Sequence, residues 1–141
     1  MRKTIEAVVT LAFASFASTG TAATSAGTQF LCSGAKVDAA RKISQKDNLK
    51  LGMDPKACFG EMKLTESDRR QIVVAAPSSE CKTGKLLDVY DRSRAGPYHS
   101  LFEKPVCGTN ISAGPRTQAG DMITIDGRQY WEKGAHYVPY K

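Results

Sequence analysis

The chain has 141 residues and a formal net charge of +6, from 20 lysines and arginines against 14 aspartates and glutamates. With 41% hydrophobic and 24% charged residues, the composition indicates one folded domain and excludes both a disordered chain and a multispan membrane protein. Twelve glycines and six prolines are ordinary numbers, which excludes collagen-like and low-complexity sequences.

The first 22 residues have the pattern of a secretory signal peptide. Arg2 and Lys3 are followed by an apolar run and then by small residues that a signal peptidase accepts. The run is too short to span a bilayer, so we expect cleavage and a secreted product, periplasmic if the source is bacterial. Residues 23–31 then form a flexible lead-in, and residues 32–141 form a single domain.

A short amphipathic helix opens this domain. Within 35–48, the apolar residues Val37, Ala40 and Ile43 share one face, and lysines and arginines occupy the opposite face. Ser33 stands where a helix-capping hydroxyl is expected. The pattern therefore predicts a helix with one apolar face against the core.

Short strands separated by turn clusters follow the helix. The candidates are Ala57–Leu64, Gln71–Ala76, Lys85–Tyr90, Tyr98–Phe102, Met122–Ile125, Gln129–Glu132 and His136–Tyr140. The clearest signal is Asp126-Gly127 between two alternating apolar runs, which is typical of a tight hairpin. One helix and a run of antiparallel strands predict an α+β fold, with the helix packed on a central antiparallel β-sheet.

The four cysteines, Cys32, Cys58, Cys81 and Cys107, predict two disulfides in an oxidising compartment. No two of them have the close spacing of a zinc knuckle, so no metal is expected. Three pairings are possible, of which a Cys58–Cys81 bridge between neighbouring strands is favoured, leaving Cys32 to pair with Cys107. The bridges would stabilise a domain whose core is small.

The predicted domain contains two histidines, His99 and His136, each next to a tyrosine. A histidine and a glutamate such as Glu103, facing one substrate, can serve as general acid and base. Arg116, in a glycine-rich loop, can neutralise a phosphate. Each of these residues, taken alone, is more often an ordinary surface residue than a catalyst.

The basic and aromatic residues suggest a nucleic-acid surface. Cations cluster on the helix and in loops at Arg69, Arg70, Arg92 and Arg94, among tyrosines that can stack on bases. The alternative is that this positive charge only keeps an exported protein in solution.

Asn110 is the first residue of an Asn-x-Ser sequon, which predicts glycosylation of Asn110 if the source is eukaryotic.

Short segments at the start of the domain and in the C-terminal half match a known pattern: Phe30-Leu31-Cys32-Ser33-Gly34, Gly96-Pro97-Tyr98-His99, Gly114-Pro115-Arg116-Thr117, Met122–Ile125, Tyr130-Trp131 and Gly134-Ala135-His136-Tyr137-Val138. Together they resemble the small secreted guanyl-specific ribonucleases of fungi and bacteria, and in particular the ribonuclease-like effectors of plant-pathogenic fungi. The resemblance implies a ribonuclease-like domain that needs no cofactor. It also implies that Tyr98, Arg116 and Tyr137 contact RNA.

The resemblance further implies an incomplete catalytic site. His136 matches the general acid, but the catalytic glutamate falls at Ser100 unless Glu103 takes its place, and the second arginine falls at Met122. Loss of these groups would remove much of the transition-state stabilisation. The resemblance therefore leaves catalytic activity uncertain.

Three functions remain open at this point. The first is a secreted ribonuclease-like effector, a monomer that binds RNA or a host protein and no membrane, with a degenerate catalytic site. The second is an active, metal-independent, guanyl-preferring endoribonuclease that uses His136 as acid, Glu103 or His99 as base, and Arg116 on the phosphate. The third is a bacterial periplasmic inhibitor or immunity protein.

Overall fold

The computed structural model describes residues 27–65, 69–92, 98–118 and 120–140. The helix α1 spans Ala35–Asp47, and a single 3-10 turn spans Leu51–Met53. The strands are β1 (Cys58–Lys63), β2 (Arg70–Ala76), β3 (Lys85–Asp91), β4 (Val106–Gly108), β5 (Ile111–Ala113), β6 (Met122–Ile125), β7 (Arg128–Lys133) and β8 (His136–Pro139). This order confirms the α+β class. The predicted signal peptide lies outside the described residues.

The helix α1 has the predicted position but a different cap. Gly34, with a φ of 103°, is the N-cap residue, and no side chain caps the first turn. The predicted Ser33 cap is wrong because Ser33 lies one residue before the capping position. The helix ends at Asn48, which adopts the left-handed conformation. Within the described ranges, no helix is long and apolar enough to cross a bilayer.

The strands form two antiparallel sheets, so the predicted single central sheet is wrong. The first sheet has the order β1-β2-β3-β4, and the second has the order β5-β6-β7-β8. The predicted strand Tyr98–Phe102 is not a strand, and it pairs with β3 through an isolated bridge between Ser100 and Tyr90. The three-residue strands β4 and β5, which were not predicted, are too short to show an alternating pattern. The Asp126-Gly127 hairpin is confirmed, since it joins β6 to β7 with positive φ at both residues.

Backbone hydrogen bonds join the two sheets along both sides. On one side the described part of the lead-in bridges them, because Leu31 exchanges two bonds with Phe59 of β1 and the Thr28 N–H donates to Ile111 of β5. On the other side, the Leu101 N–H donates to Val89 of β3, and the Tyr137 N–H of β8 donates to Leu101. The two sheets therefore close into a flattened barrel.

Two apolar clusters hold this barrel and the helix together. The strand β2 is buried on both faces, so successive residues alternate between the clusters. Val73 and Ala75 face the second sheet in the barrel interior. Ile72 and Val74 face the helix, where they pack with Val37. The first sheet is therefore the middle layer of three.

The two disulfides are Cys32–Cys58 and Cys81–Cys107, each closing a separation of 26 residues. The favoured Cys58–Cys81 and Cys32–Cys107 pairing is wrong for a topological reason. Cys58 begins β1, whose outer neighbour is the lead-in that carries the chain to Cys32. Cys81 lies in the loop before β3, next to β4, which contains Cys107.

Candidate binding groove

The helix covers only part of the first sheet and leaves a groove beside it. Only Val37 and Ser44 of the helix are buried, so its remaining sheet-facing side chains are partly open to solvent. The groove has a volume of about 670 Å³, within the range of ligand sites. We call it the basic groove; it is lined by Gln29, Leu31, Lys36, Ala39, Ala40, Ile43, Phe59, Gly60, Glu61, Arg70, Ile72 and Arg92.

Arg41 fixes the helix beside this groove. Its guanidinium donates to the carbonyl oxygens of Asp54, Pro55 and Ala57, at 2.7, 2.8 and 2.8 Å. It also lies over the ring of Phe59, 5.6 Å from the ring centroid. These contacts tie the helix to the segment that enters β1, so the groove wall is held in place.

The floor of the basic groove is apolar. Phe59 and Ile72 are buried beneath it, at 5% and 8% exposure, while Ile43 of the helix is half-buried at its side. Leu31 of the lead-in is 40% exposed, which is unusual for a large apolar residue in this fold. The groove thus presents apolar surface that a ligand can cover.

Three cations, Lys63, Arg70 and Arg92, stand in one row across the first sheet, and two of them, Arg70 and Arg92, line the groove. Lys63 pairs with Arg70 across β1 and β2, and the Arg92 N–H, just after β3, donates to the Arg70 carbonyl. Because directly paired residues share a sheet face, all three lie on the helix side of the sheet. Lys36 adds a cation from the helix wall.

One carboxylate lies among these cations. The Glu61 side chain accepts a hydrogen bond from Arg70 Nη1 at 2.8 Å through Oε1, and it is ion-paired with Arg92 through Oε2. The three side chains are 39–54% exposed, so they belong to the surface and remain accessible. Lys36, Arg70 and Arg92 against Glu61 leave the groove with an excess of positive charge.

The described lining of the groove combines cations with apolar side chains. Among these described lining residues there is no histidine, cysteine or serine. The carboxylate of Glu61 is engaged by the two guanidinium groups of Arg70 and Arg92. The arrangement can hold an anionic group together with an apolar one.

The four predicted catalytic residues lie outside this groove. His136 begins β8, His99 precedes the bridge at Ser100, and Glu103 and Arg116 are exposed in loops. Hydrogen bonding between the Tyr137 N–H and Leu101 brings the two histidine-bearing segments side by side. Among the described residues, no hydrogen bond or ion pair joins any two of the four.

The two tyrosines predicted to contact RNA are packed into the protein. Tyr137 is 3% exposed, and its hydroxyl donates to Gln71 Oε1 at 3.0 Å. Burial raises the pKa of this phenol, so it stays protonated at physiological pH. Tyr98 is half-buried against the cluster beneath the helix. The ring of Tyr137 therefore has no exposed face on which a base can stack.

A polar cluster that the sequence did not reveal links the two sheets. Arg69 Nη2 donates to Glu132 Oε2 of β7 at 2.5 Å, and Arg69 Nη1 lies 3.7 Å from Asp121. Burial lowers the pKa of Arg69, but the hydrogen bond and charge of Glu132 outweigh it and raise that pKa. Arg69 is more than 50 residues from Asp121 and from Glu132 in the sequence, so no local motif predicts these contacts.

Asn110 is exposed, as a glycosylation site requires, and its backbone N–H donates to Asp126 Oδ1 at 2.8 Å. Glycosylation of Asn110 remains a prediction.

Within the part of the chain that the structure describes, no three histidine, cysteine, aspartate or glutamate side chains lie close enough together to bind a metal ion.

The sequence analysis named Arg70 and Arg92 as cations of a possible nucleic-acid surface but missed Glu61 and its pairing with them, because that pairing depends on strand register. Arg70 and Arg92 were assigned to loops, whereas Arg70 is the first residue of β2 and Arg92 follows β3 directly. Once the strand pairing is known, the alternation of side chains along each strand places all three residues on the same face of the sheet.

Comparison of the chain with protein-family models, characterised proteins and solved structures found no match.

Proposed function

We propose that this chain is an exported, disulfide-bonded binding domain that captures an acidic segment of a partner protein in the basic groove. The observation that carries the proposal is the combination of a positive rim (Lys36, Arg70 and Arg92) with an apolar floor. A ligand that satisfies both must carry carboxylates next to apolar side chains.

The floor favours a protein ligand over RNA. Single-stranded RNA is held by phosphate contacts together with stacking of bases on open aromatic faces. Among the described residues, the only aromatic one that lines the groove is Phe59, which is 5% exposed and has Arg41 over its ring. Leucine-like side chains of a peptide fit beside Leu31 and Ile43 without needing an aromatic platform.

The charge pattern favours binding over catalysis. Among the described lining residues, Glu61 is the one carboxylate, and both of its oxygens are engaged by Arg70 and Arg92. The ribonuclease-like hypothesis requires a different site, built from His99, Glu103, Arg116 and His136. An inhibitor or immunity protein, which acts by binding a partner enzyme, is one member of the class that we propose.

A fluorescent peptide of alternating glutamate and leucine residues tests this function by anisotropy. We expect saturable binding to the wild-type protein and a loss of about tenfold or more in affinity for Arg70→Gln/Arg92→Gln, since two charge-assisted contacts are removed. The matched control, Lys104→Gln/Arg128→Gln, removes the same charge from exposed positions outside the groove and should bind like wild type.

Two comparison ligands complete the experiment. A peptide with lysine in place of glutamate should not bind, because its charge has the same sign as the groove rim. Single-stranded RNA should bind weakly, and equally to the Arg70/Arg92 variant and to its control. Tighter binding of RNA than of the acidic peptide, lost with Arg70 and Arg92, would overturn the proposed ligand class.

A further inference from the structure

We infer that Arg70 and Arg92 form a carboxylate subsite, which Glu61 fills in the free protein and from which a carboxylate of the ligand displaces it. This inference rests on the proposed function of the groove. It identifies the chemical group that the partner inserts, and it assigns Glu61 the role of an internal competitor.

The geometry of the three side chains carries the inference. Each oxygen of the Glu61 carboxylate contacts a different arginine, Oε1 with Arg70 and Oε2 with Arg92. A single planar carboxylate therefore spans the gap between two guanidinium groups on adjacent strands. A second carboxylate arriving from solvent can make the same pair of contacts.

The exposure of the three side chains makes the exchange feasible. Arg70 is 54% exposed, Arg92 47% and Glu61 39%, so both guanidinium groups can be reached from solvent. Exposed ion pairs of this kind are weak because water competes for both charges. Glu61 can therefore swing into water at little cost when a ligand carboxylate replaces it.

The adjoining floor explains why a ligand would replace Glu61. Exchange of one carboxylate for another is close to neutral in free energy, so it gives no affinity by itself. The apolar side chains of the ligand can also cover Leu31 and Ile43, which line the same groove. Apolar burial thus drives binding, and the arginine pair selects ligands that place an acidic residue beside an apolar one.

Glu61→Gln tests the inference with the same glutamate–leucine peptide. Because the amide cannot neutralise the arginines, we expect the variant to bind the peptide about fivefold more tightly than wild type. The affinity of Glu61→Gln for the peptide should also fall more steeply with added salt than that of wild type, because Arg70 and Arg92 are no longer neutralised by Glu61. The matched control is Glu80→Gln, which removes one exposed negative charge from the loop before β3.

The outcomes separate this inference from the proposed function. Tighter binding by Glu61→Gln, with Glu80→Gln close to wild type, supports the competitor role. Binding by Glu61→Gln that is equal to or weaker than wild type, while Arg70→Gln/Arg92→Gln still loses binding, overturns the inference and leaves the function standing. Undiminished binding by the double arginine variant overturns the function itself. Glutamine can still accept a hydrogen bond from Arg70 or Arg92, so Glu61→Ala is measured as a second variant. If its melting temperature is unchanged, Glu61→Ala should also bind the peptide more tightly than wild type.

Discussion

The hydroxyl of Tyr137 on β8 donates a hydrogen bond to the side-chain oxygen of Gln71 on β2, and so joins the two sheets inside the barrel. Gln71 is 0% exposed and Tyr137 is 3% exposed. Among the described residues, the amide nitrogen of Gln71 makes no hydrogen bond. The tyrosine is therefore the partner on which this buried amide depends.

Tyr137→Phe should lower the free energy of unfolding by about 1–3 kcal/mol, because it leaves the buried amide of Gln71 without a partner. Urea unfolding followed by circular dichroism measures the change. Tyr140→Phe is the control, since Tyr140 is 44% exposed and its change should have little effect. Equal stability of Tyr137→Phe and wild type would show that the hydrogen bond contributes nothing.

The two disulfides should contribute equally to stability but differently to binding. Each closes a loop of the same length, so removal of either pair should cost about 3.5 kcal/mol in the loop-entropy model. Cys32–Cys58 also anchors the lead-in and the start of the helix beside the basic groove. Cys32→Ala/Cys58→Ala should therefore weaken binding of the acidic peptide.

The Cys81→Ala/Cys107→Ala variant is the control for that effect, since its bridge joins β4 to the loop before β3. Its melting temperature should be lowered by about as much as that of Cys32→Ala/Cys58→Ala, but it should bind the peptide like wild type. Equal loss of binding in both variants would mean that the groove does not depend on Cys32–Cys58.

Asp88 should make stability depend on pH in an unusual direction. It is 4% exposed, and burial raises its pKa despite hydrogen bonds from Ser100, the Val89 N–H and Tyr90. The native state therefore keeps a proton that the unfolded chain loses near pH 3.8. The contribution of Asp88 to stability falls as pH rises from there through the raised native pKa.

Asp88→Asn removes this titration. As pH is lowered from about 7 to about 4, we expect wild type to gain stability relative to the variant, because native Asp88 takes up its proton more readily than the unfolded chain does. The other titrating groups are the same in both proteins, so their contributions cancel in the difference. Thermal melts of both proteins across this range measure the difference. Parallel pH profiles would contradict a raised native pKa.

The ribonuclease-like hypothesis has its own direct test. If the protein cleaves RNA through His136, purified protein should convert single-stranded RNA to 2′,3′-cyclic phosphates, and His136→Ala should reduce that rate by about 10²-fold or more. The basic groove lies elsewhere, so we expect the same background signal from both proteins. Cleavage by wild type that His136→Ala abolishes would restore the enzyme hypothesis.

Local patterns predicted the helix, most strands and the hairpin at Asp126-Gly127, because each depends on residues a few positions apart. The strands β4 and β5 were missed because they have three residues each. The division of the strands into two sheets was missed because it depends on long-range pairing. The disulfide pairing failed for the same reason, since it follows from which strand lies beside the lead-in. The basic groove needs the register of β1, β2 and β3 before Glu61 and its arginines come together.

Nuclear magnetic resonance titration of the labelled protein with the acidic peptide tests the central claim most directly. We expect chemical-shift changes that cluster at Leu31, Lys36, Glu61 and Ile72, together with changes in the side-chain signals of Arg70 and Arg92. The region around His99 and His136 should stay unchanged. Shifts confined to the histidines, or spread without regard to the groove, would contradict the assignment of the basic groove as the binding site.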